Sequence, residues 1–245
     1  MKAVSPYRPF APESPAHLKL GAFDWPAALT MLRASVRESC QCETFALTDR
    51  ATQLPVPAHR YDTHEPRLML WLLEVCLRYL ESSDFDEDTV MLSPDVLVFD
   101  DLRPWFRADL GVIVRVAKKF ADKKPLLNGV QFWRVEAQDR LVAFYRAVLA
   151  LARTLPESEI CWGADTEPIR RLLHPLQAGP MERAGLSVFG IRRMQMFVTV
   201  SSVDIANIRA GGRPSPLTPI IDFKYLRKHH MRDYFNATLG ERATA

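Results

Sequence analysis

TVMLSPDVLVFDDL, residues 89–102, is the stretch that decides how this chain of 245 residues folds. An apolar run ends at Leu92, a short polar interruption carries Ser93, Pro94 and Asp95, and a second apolar run follows at once. Both runs are typical of buried strands, because short apolar stretches bounded by turn residues indicate a sheet interior. A carboxylate at the end of a buried strand is costly unless it pairs with another group or binds a cation. Asp95 is therefore the first candidate for a functional residue.

The composition is typical of a globular protein with one large core. Hydrophobic residues make up 48% of the chain, charged residues 25%, and 18 prolines outnumber 10 glycines, which argues against a flexible low-complexity protein. No apolar run reaches the roughly 18 residues of a membrane span. The first residues do not show a basic stretch followed by an apolar segment, which is the pattern of a secretion signal. We therefore expect a cytoplasmic protein whose four cysteines, Cys40, Cys42, Cys76 and Cys161, are reduced thiols.

Positive charge is concentrated in the last quarter of the chain. Residues 183–245 carry 10 Lys and Arg against 4 Asp and Glu, a net charge of +6, whereas residues 1–182 carry 22 against 25. Such a segment is either a solvated basic face or a surface for an anionic ligand. The chemical classes of ligand it suggests are a diphosphate and a nucleic-acid backbone.

Strand and helix patterns alternate along the first two-thirds of the chain. Asp24 is a good N-cap for a helix running to about Ser39, residues 43–48 form a buried strand, and residues 65–80 form a strongly apolar helix. This alternation predicts an α/β fold with a mixed, mostly parallel central sheet flanked by helices. In such sheets, ligands bind beyond the carboxyl ends of the strands.

The two ends of the chain are expected to differ in structure. Residues 1–16 are rich in Pro, Ser and Ala and are predicted to form an extended N-terminal arm. Residues 17–245 are predicted to form a single domain, with a short first strand over residues 18–23 and a last helix over residues 226–239 that ends at Gly240.

Six short motifs follow one another in an order that resembles the GT-A-fold glycosyltransferases that use nucleotide-diphosphate sugars. Ser93-Pro94-Asp95 is similar to the family's Asp-X-Asp, with Ser93 in place of the first Asp. The other five are Leu47-Thr48-Asp49, Arg67-Leu68-Met69, Asn128-Gly129-Val130, Trp162-Gly163-Ala164-Asp165, and a segment from Asp222-Phe223-Lys224 to Lys228. In that last segment, Asp222 stands where the family has His, and Tyr225 where it has Gly. The resemblance covers about residues 18–240 and implies a GT-A fold, which is Rossmann-like.

The resemblance implies a divalent cation, Mn²⁺ or Mg²⁺, bound by Asp95 and Asp222 together with the diphosphate of the donor. Carboxylate oxygens suit such hard cations. Asp95 alternatively caps a turn or forms a salt bridge. Lys224, Arg227 and Lys228 follow Asp222, and their charges would stabilise the diphosphate as the sugar leaves, so Lys224 and Lys228 are catalytic candidates. Chance placement on the surface is the alternative.

The remaining motif residues are implied to bind the donor, namely Thr48, Asp49, Arg67, Ser93, Asn128, Gly129, Trp162 and Gly163. Asp49 at a strand end either accepts hydrogen bonds from ribose or caps a loop. Gly129 permits close approach of the backbone. Asp165 is the candidate for an acid–base or sugar-positioning role, or is the N-cap of the helix that follows.

We therefore expect a hexosyl- or pentosyltransferase that moves a sugar from a nucleotide-diphosphate sugar to an acceptor hydroxyl, on a glycan or on a modified nucleic-acid base. One alternative is a catalytically degenerate GT-A protein that only binds a nucleotide, which Ser93 favours. Another is a sugar-phosphate nucleotidyltransferase, although the chain lacks the Gly-rich N-terminal segment with a basic residue that such an enzyme would use.

Overall fold

The computed structural model describes residues 1–9, 23–115, 126–156, 165–214, 216 and 218–240. Eleven strands lie in this part of the chain: β1 (Lys2–Pro6), β2 (Thr44–Asp49), β3 (Ala58–Tyr61), β4 (Thr89–Leu92), β5 (Val96–Val98), β6 (Leu110–Val114), β7 (Leu126–Trp133), β8 (Gly179–Arg183), β9 (Leu186–Arg192), β10 (Phe197–Thr199) and β11 (Ile220–Asp222). The α-helices are α1 (Trp25–Cys40), α2 (Leu68–Glu81), α3 (Gln138–Arg153), α4 (Thr166–Leu172), α5 (Arg193–Met196), α6 (Ser202–Arg209) and α7 (Met231–Phe235).

Eight strands form the central sheet, in the order β3-β2-β1-β4-β7-β6-β9-β8. Strands β3, β2, β1, β4, β6 and β9 run in one direction, while β7 and β8 are antiparallel to their neighbours. Helices α2 and α3 pack in a core that includes Trp71, Tyr79, Tyr145 and Val148. Helix α1 contributes Leu32 and Val36 to a second core, with β4, β5 and β7. The predicted mixed, mostly parallel sheet with flanking helices is confirmed.

Helix α1 shows why part of the fold could be predicted locally. The carboxylate of Asp24 accepts a hydrogen bond from the backbone N–H of Ala27 at 3.0 Å, and Pro26 lies in the first turn. A proline there loses no helical hydrogen bond. At the other end Gln41 adopts a left-handed conformation with φ of 51°, and its N–H bonds to the carbonyl of Arg37. The predicted start of this helix is confirmed, and its end lies one residue beyond Ser39.

The predicted N-terminal arm is wrong for residues 2–6. Strand β1 is fully buried between β2 and β4, with Ala3 facing Thr44 on one side and Val90 on the other. The short run Lys-Ala-Val-Ser-Pro has no helical or alternating pattern of its own, and its strand conformation depends on neighbours that lie about 40 and 90 positions away along the chain. Of the predicted strand over residues 18–23, only Phe23 lies within the described residues, and it is not in a strand.

Strands β4 and β5 do not pair with each other. Strand β4 lies in the central sheet, whereas β5 pairs antiparallel with β11, which in turn pairs parallel with β10 in a separate three-stranded sheet. The Ser93–Asp95 segment is therefore the link between the two sheets. This position brings the end of one central strand beside the small sheet, where Asp222 ends β11.

The predicted last helix is broken into three parts. Residues Tyr225–His230 form a 3₁₀ turn, α7 follows, and residues Asn236–Gly240 form a π-helical turn. The backbone N–H of Arg227 bonds to the carbonyl of Lys224, as in a 3₁₀ turn. This tighter winding accompanies two tertiary contacts that a helical pattern does not encode, made by Arg227 and Lys228 and described below.

Cys40, Cys42 and Cys76 are free thiols, while Cys161 lies outside the described part of the chain. None of the helices described there combines the length and the apolar character needed to cross a membrane.

Candidate active site

The link between the two sheets packs directly against β7. The backbone N–H of Ser93 donates to the carbonyl of Gly129 at 2.7 Å. A Cβ placed on Gly129 would lie 3.4 Å from the Cβ of Ser93, so the two segments approach to van der Waals contact. The Ser-Pro-Asp and Asn-Gly-Val motifs, about 35 positions apart in the sequence, therefore form one surface.

Asp95 and Lys228 form a buried ion pair on this surface. The ammonium group of Lys228 donates to Oδ2 of Asp95, and the two residues are only 4% and 8% exposed. The ammonium group also lies 4.4 Å from the ring centroid of Trp25 and 5.8 Å from that of Phe23, which are cation–π distances. Burial alone would raise the pKa of Asp95, but the charge and hydrogen bond of Lys228, with a hydrogen bond from Ser93, hold that pKa below its usual value.

Asp222 lies beside this pair at the end of β11. Its Oδ2 accepts a hydrogen bond from the hydroxyl of Thr199 at 3.2 Å and lies 3.4 Å from the ammonium group of Lys224. The backbone N–H of Phe223 donates to the carbonyl of Asp95 at 3.0 Å, which fixes the two aspartates relative to each other. Burial, and then the nearby charge of Asp95, raise the pKa of Asp222 to about 7.

The donor atoms around Asp95 and Asp222 do not fit a divalent cation shared by the two carboxylates. Each carboxylate already has an ammonium partner, from Lys228 and Lys224 respectively. A cation between them would stand beside two positive charges. Within the described residues, no three His, Cys, Asp or Glu side chains converge where a metal could bind. The Asp95–Asp222 metal pair thus stays a prediction that the geometry does not favour.

Asp165 ends a chain of hydrogen bonds that begins in the core. Its Oδ2 accepts from Nδ2 of Asn128 at 2.6 Å, and Oδ1 of Asn128 accepts from the side-chain amide of Gln131. Oε1 of Gln131 accepts in turn from the hydroxyl of Tyr145 at 2.7 Å and from the indole of Trp133 at 3.0 Å. Burial raises the pKa of Asp165, against the hydrogen bond from Asn128. Asp165 also occupies the N-cap position of α4, without a side-chain capping hydrogen bond there, so both interpretations of this residue remain.

Gln131 and Tyr145 are site residues that the sequence motifs did not indicate. The reason is an irregularity in β7: Gln131 faces Val112 of β6 while Leu127 faces the next residue, Ile113, so residues 128–130 bulge away from β6. Through this bulge Asn128 and Gln131, three positions apart, bond to each other, which simple alternation along a strand forbids. The only sequence signal for this network was the presence of two polar residues, Asn128 and Gln131, inside the otherwise apolar strand β7.

The carboxyl end of β2 carries Thr48 and Asp49 as predicted. Oδ1 of Asp49 accepts from the N–H groups of Ala51 and Thr52 at 2.9 and 2.8 Å, so the loop-capping role is present. The hydroxyl of Thr48 is buried and has no hydrogen-bond partner among the described residues. Arg67 pairs with Glu65, with Nε 2.6 Å from Oε1 and Nη2 3.2 Å from Oε2.

Because β1 was not predicted, the residues that follow it were missed. Nη1 of Arg8 donates to the carbonyl of Glu65 at 3.0 Å, and the guanidinium lies 4.9 Å from the ring centroid of Trp71. The ring of Tyr7 lies 6.5 Å from that of Trp25, next to Lys228. Tyr7 and Arg8 therefore stand between the β2 end and the Asp95 cluster. Trp162 and Gly163 fall within residues 157–164, outside the described part of the chain.

The 3₁₀ turn carries Arg227 toward a different surface. Its Nη1 donates to the carbonyl of Val200 at 2.8 Å. A cavity of about 450 Å³ lies here, lined by Ser202, Ile205, Ala206, Arg209, Arg227 and His230. The Arg209 guanidinium and the His230 ring approach to 3.5 Å. This cavity is basic and lies on the same turn as Lys224 and Lys228.

No protein-family model matches the sequence, and no curated protein matches it. Solved structures do match in fold. A glycosyltransferase involved in glycosylation of the major capsid of PBCV-1 has a TM-score of 0.54 at 12% identity, over 94% of this chain and 98% of that one. The bifunctional glycosyltransferase WbbM has a TM-score of 0.58 at 8% identity, over 96% of this chain but 49% of that one.

The galactosyltransferase LgtC, solved with donor and acceptor sugar analogues, has a TM-score of 0.51 at 9% identity, over 97% of this chain and 96% of that one. At these identities the likeness concerns the fold. The chain has the fold of GT-A-type glycosyltransferases over most of its length, and the predicted resemblance is confirmed at that level.

Proposed function

We propose that this chain transfers a sugar from a nucleotide-diphosphate sugar to an acceptor hydroxyl. The observation that carries the proposal is the convergence of four separate motifs on one surface of a GT-A-like fold. Ser93 touches Gly129, Asp95 bonds to Lys228, Asp222 lies beside Lys224, and Asn128 bonds to Asp165. Chance surface polarity does not account for such an arrangement, because Asp95, Asp222 and Lys228 are buried, and buried charged groups are costly to keep without a function.

The donor would lie across the carboxyl ends of β1, β2 and β4. In this proposal Thr48, Asp49 and Arg67 lie on the nucleoside side of the donor. The basic turn that carries Lys224, Arg227 and Lys228 lies beside the diphosphate, with Lys224 facing it. The Asn128–Gly129 segment faces the transferred sugar, and the same role is proposed for Trp162 and Gly163. Ligands of α/β sheets bind at this edge.

The reaction breaks the bond between the anomeric carbon and the diphosphate oxygen, and the nucleoside diphosphate leaves with the electron pair. The acceptor oxygen forms the new bond and loses its proton. Positive charge from Lys224 and Lys228, held in place before the reaction, would stabilise the leaving diphosphate. Asp165, whose pKa is raised by burial, suits the role of general base or of a group that positions the sugar.

The acceptor would enter beside the basic turn. The cavity lined by Arg209, Arg227 and His230 has about 450 Å³, which is within the range of small-ligand sites. Its basic lining favours an acceptor with anionic groups, either a nucleic acid with a modified base or an acidic glycan. Binding to a DNA duplex that weakens steeply as salt rises from 50 to about 200 mM would support the nucleic acid. Salt-insensitive binding would count against it.

Thermal melting against UDP, GDP, CDP, ADP and dTDP, each with EDTA or with Mn²⁺, tests the donor site. Stabilisation by one of the five identifies the base, and release of that diphosphate from its nucleotide sugars then tests the transferase. No stabilisation by any at millimolar concentration overturns the proposal. Nucleotide binding without turnover of any donor would favour the second candidate, a degenerate nucleotide-binding protein, which the substitution at Ser93 supports.

A further inference from the structure

Lys228 binds Oδ2 of Asp95, the carboxylate that the sequence resemblance assigns to a metal ion. Its ammonium group donates to the carboxylate and is enclosed by the rings of Trp25 and Phe23, and only 4% of the side chain is exposed. Two aromatic faces and one carboxylate satisfy a buried cation well. A charge held this way is a fixed part of the site rather than a mobile surface lysine.

Each carboxylate of the cluster has an ammonium partner without a metal. Asp95 is matched by Lys228, and Asp222 by Lys224, whose side chain is 35% exposed and thus accessible to a ligand. Ser93 fits the same arrangement, because it places a neutral hydroxyl at this position, where an aspartate would add a second negative charge. Serine at position 93 removes one negative charge and Lys228 adds one positive charge. Both therefore make the cluster more positive.

We propose that Lys228 replaces the divalent cation of this site, so that the chain binds a nucleoside diphosphate without metal, with Lys224 facing the phosphates. This inference rests on the proposed function for its ligand. The exclusion of metal by Lys228 can be tested without any nucleotide.

The first measurement is Mn²⁺ binding to the protein alone, followed by electron paramagnetic resonance. Wild-type protein should bind no Mn²⁺ at the cluster, whereas Lys228→Met should bind it at least about tenfold more tightly, because Asp95 then lacks its cation. Lys2→Met is the matched control. Lys2 is also a buried lysine with a carboxylate partner, Asp86, but it lies at the opposite end of β1, and its variant should not gain Mn²⁺ binding.

The second measurement is calorimetric binding of the five nucleoside diphosphates in EDTA and in Mn²⁺. For wild-type protein the dissociation constant of the preferred diphosphate should agree in the two buffers within about twofold. If Lys228→Met does not fold, Lys228→Gln serves instead, since its neutral amide also leaves Asp95 without a cation and should create Mn²⁺ binding.

Wild-type protein that binds Mn²⁺ stoichiometrically, or whose diphosphate affinity rises about tenfold with Mn²⁺, overturns the inference. A failure of the proposed function looks different: no diphosphate binds in either buffer. In that case the comparison of Mn²⁺ binding between wild type and Lys228→Met still decides whether Lys228 excludes the cation.

Discussion

Nδ2 of Asn128 donates to Oδ2 of Asp165 across 2.6 Å, and this bond joins the bulged strand β7 to the start of α4. The bond holds the carboxylate toward the surface formed by Ser93 and Gly129. Through Asn128, it also links the carboxylate to the buried hydrogen bond between Gln131 and Tyr145. The core therefore contributes to the position of the Asp165 side chain through Asn128.

Asp165→Asn should abolish most of the transfer while leaving nucleotide binding intact. An amide cannot take a proton from the acceptor, and loss of a general base typically costs about 10²–10⁴-fold in rate. The measurement is release of nucleoside diphosphate from the donor, with calorimetry of diphosphate binding as the control. Equal activity of the variant and the wild type would remove Asp165 from the mechanism.

The raised pKa of Asp165 predicts opposite pH trends for stability and activity. Its usual value is 3.8, and the folded value is higher, so the unfolded protein loses this proton first as pH rises. The contribution of Asp165 to stability is therefore fully present below the usual value and declines until the folded pKa is passed. A base, in contrast, gains activity over the same rise. Urea unfolding and initial rates of wild type and Asp165→Asn across pH would show both trends absent from the variant.

Tyr145→Phe should lower both stability and activity. The substitution removes one of the two donors to Oε1 of Gln131, at an expected cost of about 1–2 kcal/mol in the free energy of unfolding. Tyr79→Phe is a matched control, since the hydroxyl of Tyr79 is also buried and bonds to Thr89 at 2.9 Å, away from the site. Denaturant unfolding should show similar losses for the two variants, while only Tyr145→Phe reduces the rate. Equal rates would contradict a role of the network in positioning Asp165.

Asp95→Asn should destabilise the protein by about 3–5 kcal/mol, because it leaves the buried ammonium of Lys228 without its countercharge. The double variant Asp95→Asn/Lys228→Met should recover much of that loss, since it removes the unpaired charge. Denaturant unfolding of both single variants and the double variant gives the coupling energy. Additive losses would show that the two groups do not depend on each other.

The sequence predicted those parts of the fold whose signals are local. Asp24 and Pro26 fix the start of α1, and the apolar runs around Asp95 indicate β4 and β5 directly. Strand β1 was missed because its conformation depends on two distant neighbours. The pairing of β5 with β11 was missed because nothing near Asp95 indicates a second sheet.

The residues of the candidate site also fall into those that the sequence could indicate and those that it could not. Asp95 could be found because a polar interruption follows an apolar run, whereas Asp222, Asn128 and Asp165 were found through the resemblance of their motifs to the GT-A family. The pairing of Asp95 with Lys228 could not be predicted. Nothing in the sequence distinguishes Lys228 from other lysines until the 3₁₀ turn places it against Asp95. Tyr145 lies on an ordinary apolar helix face, and its hydroxyl has a role only because the bulge in β7 brings Gln131 beneath it.

The small three-stranded sheet affects the stage of folding at which the candidate site forms. Its strands are only three residues long, and β5 and β11 are separated by more than a hundred residues of intervening chain. Closing so long a loop costs entropy that is recovered only once the contacts on both sides are in place, so this pairing belongs to the late steps of folding. We therefore expect Asp95 and Asp222 to meet only after the central sheet has formed, so that a newly made chain has its core before it has its candidate site.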